Sequence, residues 1–247
     1  MTEIRYLHHV YLSSSFKTGE RIAYDVCDDI LSKDSIALSV LNKIKEECGD
    51  DINIAVHYFN TSESGSEAVK KYDGYFEDVR FVDDLDEFIS LIKESRVLIG
   101  LDVAKYIISQ IQCTQLKLQK LVYLCYADYL CQFHEKLFDD EIYAFDLGPV
   151  VQSVYKKYHG KKDLDDEIPQ DAKIHEAIRS RILFASRGIL KLHSIVETLK
   201  KYGGMSASEL VKLTHRPNTP WSVVYEPESS YLHITDPDIL NYHRNEV

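Results

Sequence analysis

One stretch constrains this chain more than any other: TQLKLQKLVYLCYADYLCQF, starting at Thr114. Leu116, Leu118, Leu121, Val122, Leu124, Cys125 and Leu130 cover most of the circumference of a helix. A helix that is apolar all round is either a membrane span or the axis of a core surrounded by other helices. The polar residues decide between them: Lys117, Gln119 and Lys120 in the first turns, Asp128 in the middle, Gln132 and His134 at the end. A charge at mid-bilayer costs roughly 2.5–3.5 kcal/mol on insertion scales. The stretch is expected to be the central helix of a soluble, bundle-like region, with Thr114 capping its first turn and no membrane as partner.

The rest of the chain suits that reading. It has 247 residues, 45% hydrophobic and 28% charged, enough for one large domain or two small ones with proper cores. Five cysteines, Cys27, Cys48, Cys113, Cys125 and Cys131, have no CxxC spacing, and no secretory leader is apparent. A reduced, cytoplasmic protein is expected. The net charge of −11 is uneven, with eleven Lys and Arg against twenty Asp and Glu through Gly100. That acidic front disfavours the phosphate backbone, so no nucleic acid is expected to bind directly.

Periodicity gives the expected fold class, α+β: a small N-terminal α/β module over residues 1–95, then a mainly helical domain over 101–247. Ile4–Leu12 reads as a strand. Glu20–Leu31 has helical spacing, and a second helix starts at Asp34, taken as its N-cap. Ile52–Phe59 and Val79–Val82 read as strands, and DLDEFISLIKES as a helix with an acidic first turn. After Arg96–Gly100 the expected helices are Asp102–Gln112, Gln115–His134, Pro149–His159, Asp171 to about Ser186, Ile189–Tyr202 and Ala207–Leu213. Ile142–Leu147 is a short extended piece. Gly148 permits a sharp turn at positive φ, and Pro149 opens the next helix. Ser206-Ala-Ser-Glu209 is a capping box, and Trp221 is expected to seal the core with a partner for its N–H.

Candidate chemistry is sparse. His215 with Asp128 suggests a general base, hence a hydrolase, but no nucleophile or metal set accompanies it. The simpler role for His215 is to close a helix C-terminus. His8 and His9 are adjacent and point to opposite faces of a strand, poor geometry for one metal. No phosphate-binding glycine loop is present. No catalytic residue, metal or cofactor is expected. SASELVKLTH could open a helix-turn-helix, but the prolines and acidic residues that follow disfavour it.

Three ordered segments carry a family resemblance: TQLKLQKLVYLCYADYL, LFDDEIYAFDLGPVVQSVYKKY and MSASELVKLTHRPNTPWSVVY. Together they resemble the Panacea domain, also called SocA-like, over about residues 101–225. Phe145 stands where that family often has Trp. The resemblance implies an antitoxin that neutralises a cognate protein toxin by direct binding. Rival readings are a proteolytic adaptor delivering the toxin to a protease, and the hydrolase using His215. Tyr143, Phe145, Tyr155 and Tyr158 are the expected partner-binding aromatics around the Gly148-Pro149 junction. Asp83, Asp84, Asp86 and Glu87, clustered at a helix start, are expected to lend the front module specificity for a basic partner.

Overall fold

The computed structural model describes residues 5–29, 36–229 and 231–246. It is an α+β protein that divides into two compact units, Met1–Val97 with Phe184–Ser186, and Leu98–Leu183 with Arg187–Val247.

In the first unit β1 (Tyr6–Ser14) turns back into β2 (Arg21–Asp29) through a loop in which Gly19 has φ 77°. Then follow α1 (Ala37–Cys48), β3 (Ala55–Thr61), α2 (Ser66–Tyr72), β4 (Arg80–Val82) and α3 (Leu85–Arg96). The sheet order is β3-β1-β2-β4, with β1 antiparallel to both neighbours and β2 parallel to β4. Tyr11, Ile22 and Val26 pack with Ile44, Phe88 and Ile92 of α1 and α3 on one side of the sheet. Val10, Leu12 and Ala23 pack with Val69 of α2, Phe76 and Val79 on the other.

That two-sided core corrects the helix expected over Glu20–Leu31. In a strand buried on both faces, Ile22 and Val26 face one way and Ala23 the other, and this spacing mimics a helical stripe. Nine residues paired in register with β1 settle the competition. Ile4, Ile30, Leu31 and the proposed cap Asp34 lie outside the described residues.

The second unit is built around α5 (Gln115–Phe133), which follows α4 (Gly100–Gln110). Thr114 caps α5 by accepting the Lys117 N–H at 3.3 Å, and His134 ends it in the left-handed region, φ 55°. Leu118, Leu121, Val122, Leu124, Cys125 and Ala127 are wholly buried. Among the described residues no helix is long and apolar enough to cross a membrane. The polar residues of α5 find partners instead: Lys117 donates to the Gly203 carbonyl at 2.7 Å, Lys120 to that of Pro149 at 2.7 Å.

After α5 come β5 (Ile142–Phe145), β6 (Gly148–Val151), α6 (Gln152–Tyr158), α7 (Ala172–Leu183), α8 (Gly188–Tyr202) and α9 (Ala207–Thr214). The chain closes with α10 (Pro220–Val224), β7 (Leu232–His233) and α11 (Asp236–Tyr242). The strands form a small antiparallel sheet, β6-β5-β7. The helix expected to open at Pro149 starts three residues later. Pro149 pairs with Ala144 inside β6, followed by the β-branched Val150-Val151, and lacks only a donor that an edge strand can spare. The edge of β6 is covered by α5 side chains. The Val151 N–H donates to Gln119 Oε1 at 2.9 Å, and Lys120 takes the Pro149 carbonyl. Ser206 and Glu209 form the expected capping box. Pro220, which reads as a breaker, instead occupies the first turn of α10, where its missing N–H costs nothing.

Candidate partner-binding cavity

The β5–β6 turn shapes the site. Phe145 pairs with Gly148 across a two-residue connection, and Gly148 has φ 101°. A Cβ there would lie 2.8 Å from Lys120 Nζ and 3.0 Å from Thr214 Oγ1, so both conformation and space demand glycine. Trp221 holds the turn from below, donating Nε1–H to the Phe145 carbonyl at 2.8 Å. Its indole stacks on His215 at 3.7 Å and on Tyr225 at 4.5 Å, and the Tyr225 hydroxyl donates to Asp146 at 3.0 Å.

Beside the turn lies a cavity of about 430 Å³, walled by Leu116, Phe145, Leu147, Tyr155 and Tyr231, with Lys120 at its base. Phe145 meets Tyr155 and Tyr231 edge-on, at 5.2 and 5.6 Å between ring centres. Leu147 is 57% exposed and Tyr231 64%. Lys120 has no exposed surface, and burial pushes its ammonium down to about 7, against a smaller opposing pull from Glu246.

The structure sorts the expected aromatics. Phe145 and Tyr155 line the cavity, whereas Tyr143 and Tyr158 belong to the core, 9% and 2% exposed. Tyr143 accepts from Gln152, and burial pushes Tyr158 up to about 12, so neither presents a face to a partner. The front acidic residues are exposed but largely engaged at home. Asp84 caps α3 through the Glu87 N–H at 2.8 Å, Asp86 pairs with Lys43 at 2.6 Å, and Glu87 with Arg80 at 3.2 Å.

His215 sits at the C-terminal end of α9, as a helix-closing residue should. Burial, then the Lys120 charge, hold its imidazole below the ordinary value. Its Nε2 is buried with no hydrogen-bond partner among the described residues, and Asp128 serves a different histidine. Asp128 Oδ1 meets His243 Nε2 at 2.8 Å, and its Oδ2 accepts from Thr198 at 2.8 Å. His243 Nδ1 meets Glu246 Oε2 at 2.6 Å, which also accepts from Tyr123 at 3.1 Å. Burial alone would suppress the charge on His243, but the two carboxylates outweigh it and raise the ring to about 9. Burial likewise raises Glu246, with His243 pulling against it. Sequence reasoning missed His243, Glu246, Tyr123 and Thr198. Polar residues inside an apolar helix were the one available signal, and the partners are distant in sequence, Thr198 70 and His243 115 residues from Asp128.

In the cavity wall the Ser229 hydroxyl hydrogen-bonds Glu226 rather than His159, and among the described residues no group of three or more His, Cys, Asp or Glu is placed to hold a metal. What the cavity offers is a shaped aromatic surface. Comparison with curated proteins and with solved structures finds no match to this chain. The comparison with protein families does, over less than half of the chain: residues 118–222, from the second turn of α5 through Trp221 to Ser222, match the family of the antitoxin SocA-like, Panacea domain.

Proposed function

We propose that the protein is an antitoxin that neutralises a protein toxin by binding it directly, with the aromatic cavity at the β5–β6 turn as its docking face. The match of residues 118–222 to the SocA-like antitoxin domain carries this reading. Phe145, Leu147 and Tyr155 all fall inside the matched segment. Aromatic anchors around a pocket, ringed by polar groups, are the usual anatomy of an energetic hot spot at a protein interface. In this reading residues 101–247 are the neutralising domain, residues 1–95 an accessory module, and the protein acts in the cytoplasm without chemistry of its own. Nucleic acid is not among its partners, in keeping with the net charge of −11.

The test is co-expression with the product of the neighbouring gene. The expected result is that this product halts growth, that the wild-type protein restores it, and that toxin abundance stays constant. Leu147→Glu and Tyr155→Ala should keep the wild-type melting temperature and lose rescue. If both rescue fully, the cavity is not the docking face. If no neighbouring product is toxic, the antitoxin reading falls.

A further inference from the structure

A second cluster lies in the first unit, apart from the proposed docking face. His8 on β1 and Cys27 on β2 are direct cross-strand partners, so their side chains share a face of the sheet. Asp25, two residues before Cys27, shares it too. Cys27 Sγ lies 3.8 Å from His8 Nε2, and His8 Nδ1 lies 2.7 Å from Asp25 Oδ2. His8 is wholly buried, and the Asp25 side chain is 7% exposed. The other oxygen of Asp25, Oδ1, is buried with no hydrogen-bond partner among the described residues. Cys27 itself is partly exposed, and the Gly65 backbone hydrogen-bonds to its sulfur. A cavity of about 440 Å³ lies alongside, with Thr61, Glu63 and Lys71 in its wall.

We propose that Cys27 is a modification site, a thiol with a built-in base that forms mixed disulfides with low-molecular-weight disulfides. Aligned thiol, imidazole and carboxylate are the arrangement that activates a cysteine nucleophile. His8 Nε2 takes the thiol proton as Sγ attacks one sulfur of the disulfide. The reagent's S–S bond breaks, a new Sγ–S bond forms, and the departing thiolate recovers the proton from His8. Asp25 accepts from Nδ1–H throughout and fixes the tautomer that leaves Nε2 free to accept. Thr61 Oγ1 sits 2.8 Å from Nε2 and donates to the Glu63 carbonyl, itself 3.2 Å from Nε2, so as placed Thr61 and Glu63 present acceptors to an Nε2 that has taken the proton. The Thr61 hydroxyl can donate to Nε2 in the neutral ring and swing to Glu63 when Nε2 is protonated, so both protonation states are accommodated. Burial, with Asp25 and Asp28 adding to it, holds the Cys27 thiol above its ordinary range. Unassisted thiolate is therefore scarce at neutral pH, and the rate depends on the base.

The full chain, incubated with oxidised glutathione at neutral pH, tests this by site-resolved mass spectrometry. Cys131, also partly exposed, is the internal reference, because its thiol donates to the Ile239 carbonyl at 3.8 Å rather than to an imidazole. Cys27 should acquire glutathione at least about tenfold faster than Cys131, and His8→Gln should slow it by roughly 10²-fold. Asp25→Asn, which keeps shape, should also slow it, and decides the matter with the wild-type comparison if His8→Gln fails to fold. Equal rates at Cys27 and Cys131 would overturn the proposal. So would a folded His8→Gln protein whose Cys27 reacts as fast as wild type.

Discussion

Removing the charge on His243 should cost the protein a large part of its stability, and pH should do it as well as mutation. The ring is 3% exposed between Asp128 and Glu246, and its folded value is raised to about 9 from an ordinary 6.5. At about 1.4 kcal/mol per unit, the shift corresponds to roughly 3 kcal/mol. Because the folded value is raised, this stabilisation is fully present below the unfolded value and is lost as pH rises from about 6.5 through about 9. Glu246 acts in the same direction at lower pH, since burial raises its carboxyl too. Lys120 opposes: its folded value of about 7 lies below the ordinary 10.5, so its contribution to stability grows with pH over that interval. The difference between wild type and His243→Gln isolates the histidine. Urea unfolding at pH 6, 7.5 and 9.5 should show the two proteins roughly 3–5 kcal/mol apart at pH 6, because the variant leaves two carboxylates without their cation. The gap should narrow by roughly 3 kcal/mol by pH 9.5. A gap that stays constant across this range would refute the charged, clamped state of His243.

Three further outcomes follow from the geometry. Gly148→Ala should cost roughly 1–3 kcal/mol for backbone strain, and more because a Cβ would displace Lys120 Nζ from 2.8 Å; near-wild-type denaturant midpoints would contradict this. Trp221→Ala should cost about 3–5 kcal/mol, measured the same way, since the ring is 8% exposed and its N–H holds the Phe145 carbonyl. In the front module, Asp83→Asn with Asp86→Asn should weaken toxin binding mainly at low salt; calorimetry showing equal affinity at low and high salt would remove these carboxylates from recognition.

What was legible in the chain was local. Thr114 and Ser206 with Glu209 announce helix starts because a cap needs only residues three positions away. The central α5 could be read because burial on every side leaves no polar stripe. The failures have physical causes of another kind. β2 looks helical because a strand between two apolar layers loses its alternation, and only the pairing with β1 reveals it. Pro149 and Pro220 each sit where the missing N–H is not needed, one on a strand edge and one in a first helical turn. Of the four aromatics expected at the docking face, Tyr143 and Tyr158 are core, a distinction of exposure that spacing does not carry. The His243 clamp joins α5 to the end of the chain, so no local window contains it.

The covering of β6 by Gln119 and Lys120 decides how the small sheet can be extended. An amide and an ammonium from a helix stand where a neighbouring strand's backbone would be, and they terminate the ladder on that side. The far side ends in β7, a strand of two residues. Any partner that joins this sheet by adding a strand must therefore approach from β7, either extending beyond Leu232–His233 or peeling those residues away from Tyr143 and Ala144.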